Sequence, residues 1–127
     1  MSLTNAFETS TLQYLFTTDS VTRPTAWYLG LFTSDPTETG SAGTEVSGGG
    51  YVRKAVTFTV SGNLATNSAA IEWDAATASF GTVTHIAVMD ASTGGNMIAS
   101  NSLTTSKAIA TDDIIRVPAG DLDITLD

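Results

Sequence analysis

The chain has 127 residues, 42% of them hydrophobic and 14% charged, which suits one folded domain with a single core and argues against disorder. Thirteen acids against five Lys and Arg give a formal charge of −8, which would repel a nucleic-acid backbone and sets that class of partner aside. No cysteine is present, so disulfides, thiolate catalysis and cysteine-based metal centres are excluded.

Apolar residues at Leu3, Phe7, Leu12, Leu15 and Phe16, with Ser2 or Thr4 as N-cap and Glu8 near the positive end of the dipole, predict one helix from about Leu3 to Thr17. Its apolar positions spread around the circumference, which predicts packing against more than one surface or against a neighbouring subunit. Small polar residues and Pro24 end it, giving a helix and linker over residues 1–25 and a β-rich remainder over 26–127. No run approaches the roughly 20 apolar residues of a membrane-spanning helix, so no membrane partner is expected. MSLTNAFETS lacks the features of a secretion signal, so assembly in a cytoplasm is expected.

Ala26 to Thr33, AWYLGLFT, is a nearly continuous apolar run and predicts a central strand, with Gly30 marking a bulge or a close approach by another backbone. Asp35-Pro36 then forces a turn. The chain passes through a polar segment to the triple glycine Gly48, Gly49 and Gly50, and alternates from Tyr51 to Val60 with Val52, Val56, Phe58 and Val60 on one face. This predicts two rigid strands carrying one long loop, of which Thr37 to Ser47 is dispensable for folding.

Ser61-Gly62-Asn63 predicts a turn and Thr66 to Trp73 a weaker strand with Ile71 and Trp73 on one face. Gly81 to Met89, GTVTHIAVM, predicts a second central strand with His85 on the face of Val83, Ala87 and Met89. Asp90 to Asn96 is the turn to a hairpin partner, Met97 to Leu103. Lys107 to Ala110, Ile114 to Val117 and Leu122 to Leu126 complete the chain as short strands. The expected fold is therefore mainly β, an antiparallel β-sandwich of seven to eight strands with one N-terminal helix, and a barrel is the runner-up.

The residues offer little chemistry. His85 is the only histidine and reads as a packing residue in an apolar strand. Ser47 does not sit in the G-x-S-x-G turn of serine hydrolases, and the triple glycine lacks the Lys-Ser/Thr of a phosphate loop and opens a strand rather than a helix. Asp112-Asp113, Asp121 and Asp123 could hold calcium only if two turns converge, and they read better as solvated charges that oppose edge pairing. Neither an enzyme nor a cofactor is expected; the weakest alternative is a glycan hydrolase using Glu45 and Glu72 as paired carboxylates. Trp73 and Tyr51 are the rings that a glycan-binding module would use, and Tyr51 could equally stack on another subunit.

The motifs WYLGLFTSDPTE, GTEVSGGGYVRKAVTF, FGTVTHIAVMDASTGGNMI and IIRVPAGDLDITLD, in this order and spacing, resemble a family of small tailed-bacteriophage virion proteins often labelled tail fibre proteins. The resemblance runs from the N-terminal helix to Asp127 and is most specific from Gly43 to Phe58. It implies a non-enzymatic structural component of the virion and supplies no catalytic residues. A fibre needs length, and one compact domain has no coiled coil or repeats. The expectation is therefore an outer-surface capsid decoration or cement protein, assembled in the infected bacterium and bound to the major capsid protein or other virion proteins. A tail fibre or fibre-base component, with a host surface glycan as its further partner, is the alternative. Assembly as a homotrimer is expected. The candidate contact residues are Asp35, Pro36, Glu45, Gly48, Gly49, Gly50 and Tyr51 on the loop, with the N-terminal helix and the turn Asp90 to Asn96 beside them.

Overall fold

The two most apolar runs of the sequence lie side by side. The computed structural model describes residues 1–126, arranged as β1 (Ser2–Leu3), α1 (Asn5–Phe16), β2 (Tyr28–Phe32), β3 (Lys54–Ala55), β4 (Phe58–Ser61), β5 (Leu64–Asn67), β6 (Ile71–Glu72), β7 (Gly81–Met89), β8 (Met97–Ile109), β9 (Arg116–Val117) and β10 (Asp123–Thr125). A five-stranded sheet has the order β1-β8-β7-β2-β3, with a three-stranded sheet β10-β5-β4 and a two-stranded sheet β6-β9 beside it. Every pairing is antiparallel. The mainly β, antiparallel fold with one helix is as expected. The described strands number ten in three sheets, rather than the seven or eight of a two-sheet sandwich, because two expected strands break in two and Ser2–Leu3 adds an edge strand, while two others merge.

β2 and β7 are central, as their apolar sequences predict, with Leu29 opposite Val88 and Phe32 opposite His85. Leu29, Leu31, Val83, Val88, Ile98 and Ile109 from this sheet meet Ile71, Trp73 and Leu122 in one core. Each large apolar side chain buried there stabilises the fold by roughly 1.5–3 kcal/mol. A smaller cluster of Phe32, Ala87, Met89 and Met97, with Tyr28 against it, gathers separately.

The two clusters lie on opposite faces of the sheet, and a bulge decides which of them Val83 joins. Between Val83 and His85 the partner on β8 jumps from Lys107 to Ser102, and such an irregularity changes which face later residues occupy. Val83 and Val88 thus enter the same core although strict alternation would part them, and Val83 does not share a cluster with Ala87 and Met89 as the simple period implied. Gly30 carries no bulge: its pairing with Ala87 is in register.

Several boundaries differ from expectation for identifiable reasons. The helix begins at Asn5, because Ser2 and Leu3 pair with Ser100 and Ala99 as an edge strand. Thr4 holds the N-cap position but does not cap with its side chain; its buried hydroxyl donates to Met97 O at 2.8 Å, tying the helix start to the sheet. The expected strand from Tyr51 to Val60 divides into β3 and β4 in different sheets. Val56 stays buried at the crossing while Val52 and Val60 are exposed. The weak strand Thr66 to Trp73 divides likewise into β5 and β6, yet Ile71 and Trp73 are both buried as predicted. Conversely, Met97 to Leu103 and Lys107 to Ala110 merge into the single long β8.

The small C-terminal strands are fastened by one buried amide. Asn67 donates through Nδ2 to Ala69 O and Pro118 O and accepts from Leu122 N–H through Oδ1, which spends its polar atoms without water.

Candidate contact surfaces

The long loop after β2 is stitched to the sheet. Thr33 N–H donates to Thr44 O and Val46 N–H to Leu31 O, both at 2.9 Å, and Glu45 bridges to Phe32. The segment therefore continues along the edge of β2 that β3 occupies further back, and Val46 enters the core. At the other end of the loop, Asp35 Oδ1 accepts Thr37 N–H at 2.8 Å, and Glu38 O accepts Asn5 N–H, one of the free donors at the helix start, at 2.9 Å.

A charged network sits inside this strip. Arg53 grips Glu45 with two parallel bonds, Nε to Oε2 and Nη2 to Oε1, each 2.8 Å, the bidentate geometry that makes such pairs strong. Nη1 of Arg53 donates across to Ala91 O and Gly94 O in the turn after β7. Tyr51 donates its hydroxyl to Glu45 Oε2 at 2.7 Å and accepts Leu31 N–H at 3.0 Å, while its ring stands edge-on to Phe80. Burial pushes the Glu45 carboxyl up, but the hydrogen bonds from Arg53 and Tyr51 and the Arg53 charge outweigh it and hold the group below the usual carboxylate range. Burial, followed by the bond to Glu45, pushes the Tyr51 phenol well above its ordinary value. The bond to Glu45 raises Arg53 further.

The expected contact residues are thus placed as follows. Pro36 is fully buried. Glu45 and Tyr51 are brought together and bonded internally, and Gly30 is the small residue that admits them: a Cβ there would stand 3.1 Å from Glu45 Oε2. The close approach at Gly30 is by these side chains and not by a backbone. Gly49 lies under Phe80 and Ala78 O, its own carbonyl accepting Thr77 N–H. Asp35 is exposed and stands 3.8 Å from His85 Nε2, an ion pair only when the ring is protonated, while Thr84 Oγ1 lies 2.8 Å from His85 Nδ1. Gly48 and Gly50 keep to the loop's return. Arg53 escaped the sequence reading, although an arginine beside Tyr51 on a half-buried strand was its signal.

Other expected sites change character. Trp73 is buried with its indole N–H donated to Val52 O, and the Tyr51 ring packs on Phe80, so neither is a free platform for a sugar. Glu45 is taken up by Arg53, while Glu72 stands 3.7 Å from Arg116 in the two-stranded sheet. Among the described residues no three His, Asp or Glu side chains come together to hold a metal ion. Asp113 accepts Ala110 N–H in its own turn. Asp35, Glu38, His85 and Asn101 border an open polar cleft of about 570 Å³.

The apolar surface lies elsewhere. No residue of α1 is buried, and Leu12, Tyr14, Leu15 and Phe16 are 59 to 78% exposed. Beside them Val21, Pro24 and Leu126 shape an apolar groove with Arg23 on its lining. Leu126 is the last described residue; Asp127, which closes the final motif, lies outside the description.

A family model described as podophage GP4 fiber I protein gp80 matches residues 2–125. No curated protein matches the chain.

Proposed function

Because the chain belongs to the podophage GP4 fiber I protein gp80 family, we propose that it is a non-enzymatic structural subunit of a podophage tail fibre, joined to other virion proteins by protein contacts on the outer surface. The observation that carries this reading is the family match over residues 2–125, a phage fibre protein and hence a virion component. It favours the tail-fibre alternative over capsid decoration, which had rested on compact size and acidic charge. The geometry supports a structural role. The bidentate charged network is turned inward, where it pins a loop to a sheet edge, and among the described residues the largest exposed apolar side chains lie on the outer side of the helix.

Such a subunit works by holding its surfaces in fixed relation while neighbours bury area against them, so that many modest contacts share a load. Assembly inside the infected bacterium and release with the particle are part of this proposal. Gold-labelled antibody to this protein on intact virions is expected to mark the tail region, with cryo-electron microscopy placing the ten-strand fold in fibre density. Label confined to the icosahedral shell would return the assignment to capsid decoration.

A further inference from the structure

We propose that the outward ridge of α1 is a self-association surface on which copies of this chain pack against one another. Leu12, Leu15 and Phe16 fall at i, i+3 and i+4 and so share one face. The partly covered residues of α1, Phe7, Ser10, Thr11 and Gln13, fall on the opposite side. The ridge is open: Leu12 is 59%, Leu15 61% and Phe16 78% exposed. A helix of 12 residues is marginal in water on its own propensity and takes its stability from packing a face. Within one chain that packing is slight: Phe7 meets the core, while Leu12, Leu15 and Phe16 stay uncovered.

Charge selects the occupant. Residues 1–25 contain two acids, Glu8 and Asp19, and one base, Arg23; the other eleven acids and four bases lie in residues 26–127. Identical chains repel through the acidic remainder and meet at this near-neutral end without that repulsion. A basic partner would instead be steered to the acidic remainder.

Area indicates the arrangement. An exposed aromatic side chain contributes on the order of 150 Å² and a leucine somewhat less, so Leu12, Leu15 and Phe16 offer roughly 350 Å² between them. That is less than the ~800 Å² per partner of a standard pairwise interface. A closed ring in which each helix touches two neighbours uses both sides of the ridge, Leu15 on one and Phe16 on the other. Three copies are the smallest such ring. This surface is independent of where the protein sits in the virion.

Sedimentation velocity of the full chain is expected to show an oligomer, and Leu12→Gln with Phe16→Gln is expected to reduce it to monomer with the β-sheet circular dichroism unchanged. Because the chain has no cysteine, Phe16→Cys supplies a second reading: on mild oxidation it is expected to link copies covalently, and Ser41→Cys, exposed on the loop, is not. A wild-type chain that stays monomeric at all concentrations, an oligomer that survives the double substitution, or equal linking through Ser41→Cys would each overturn the proposal.

Discussion

At the scale of single residues, Glu45, Tyr51 and Arg53 carry the clearest consequences. Tyr51→Phe leaves the Leu31 N–H without its acceptor inside the core and is expected to cost about 1–3 kcal/mol, read from chemical denaturation. Glu45→Ala strands the Arg53 guanidinium. Because Glu45 is 25% exposed and Arg53 keeps the carbonyls of Ala91 and Gly94, the expected loss is about 2 kcal/mol, below the ~3–5 of a fully buried pair. The pH dependence follows from direction. Folding lowers the Glu45 carboxyl, so its contribution is complete above the unfolded value of about 4.3 and drains away as pH falls through the lower folded one. Folding raises the Tyr51 phenol, so that contribution is complete below about pH 10 and is lost as pH rises through the folded value. Urea midpoints measured across both limbs should show the acid loss diminished in Glu45→Gln and the alkaline loss diminished in Tyr51→Phe. The triple glycine gives a further contrast. Gly48 and Gly49 both have positive φ, but a Cβ on Gly48 meets nothing while one on Gly49 would strike Ala78 O. Gly48→Ala is expected to cost about 1 kcal/mol and Gly49→Ala on the order of 3, compared by thermal melts.

At the scale of elements, the loop from Asp35 to Gly50 proves to be two things. Thr37 to Ser41 is a largely exposed tip held by its own hydroxyls and by the bond from Asn5 N–H to Glu38 O, whereas Thr44 to Val46 is bonded to β2. Deleting Thr37 to Ser47, expected from the sequence to spare the fold, would remove a core valine and one half of the charged network. A loss of several kcal/mol is expected against the ~5–15 of a typical domain. Ser41→Ala at the tip is expected to stay within about 0.5 kcal/mol, and equal midpoints for deletion and wild type would show that the stitching contributes nothing. The strands legible in the sequence were β2 and β7, because near-continuous apolar runs survive any choice of partner. The stretch from Tyr51 to Val60 was misread as one strand because alternation reports a local period, while the crossing from one sheet to another at Val56 is set by Trp27 O accepting its N–H. The merging of two expected strands into β8 has the same origin: the bulge opposite Thr84 absorbs residues 103–106, which local sequence marks as an interruption.

At the scale of the whole molecule, the described residues form a main core shared by three sheets, a smaller cluster on the other face of the largest sheet, and a helix that leaves most of its apolar side chains open, an arrangement suited to assembly with neighbours. Length, apolar content, absence of cysteine and the order of apolar runs and turn signals were enough to determine a mainly β antiparallel fold with a single N-terminal helix, and the quoted motifs were enough to place the chain among phage virion proteins. These are local quantities, summed along the chain. Only the tertiary structure decided that Glu45, Tyr51 and Arg53 face one another under Gly30, that Trp73 is core rather than platform, and that Leu12, Tyr14, Leu15 and Phe16 of α1 are left in solvent. Those facts depend on which segments pair across long sequence separations, and a side chain's partners, unlike its period, are fixed only when the sheets close around it.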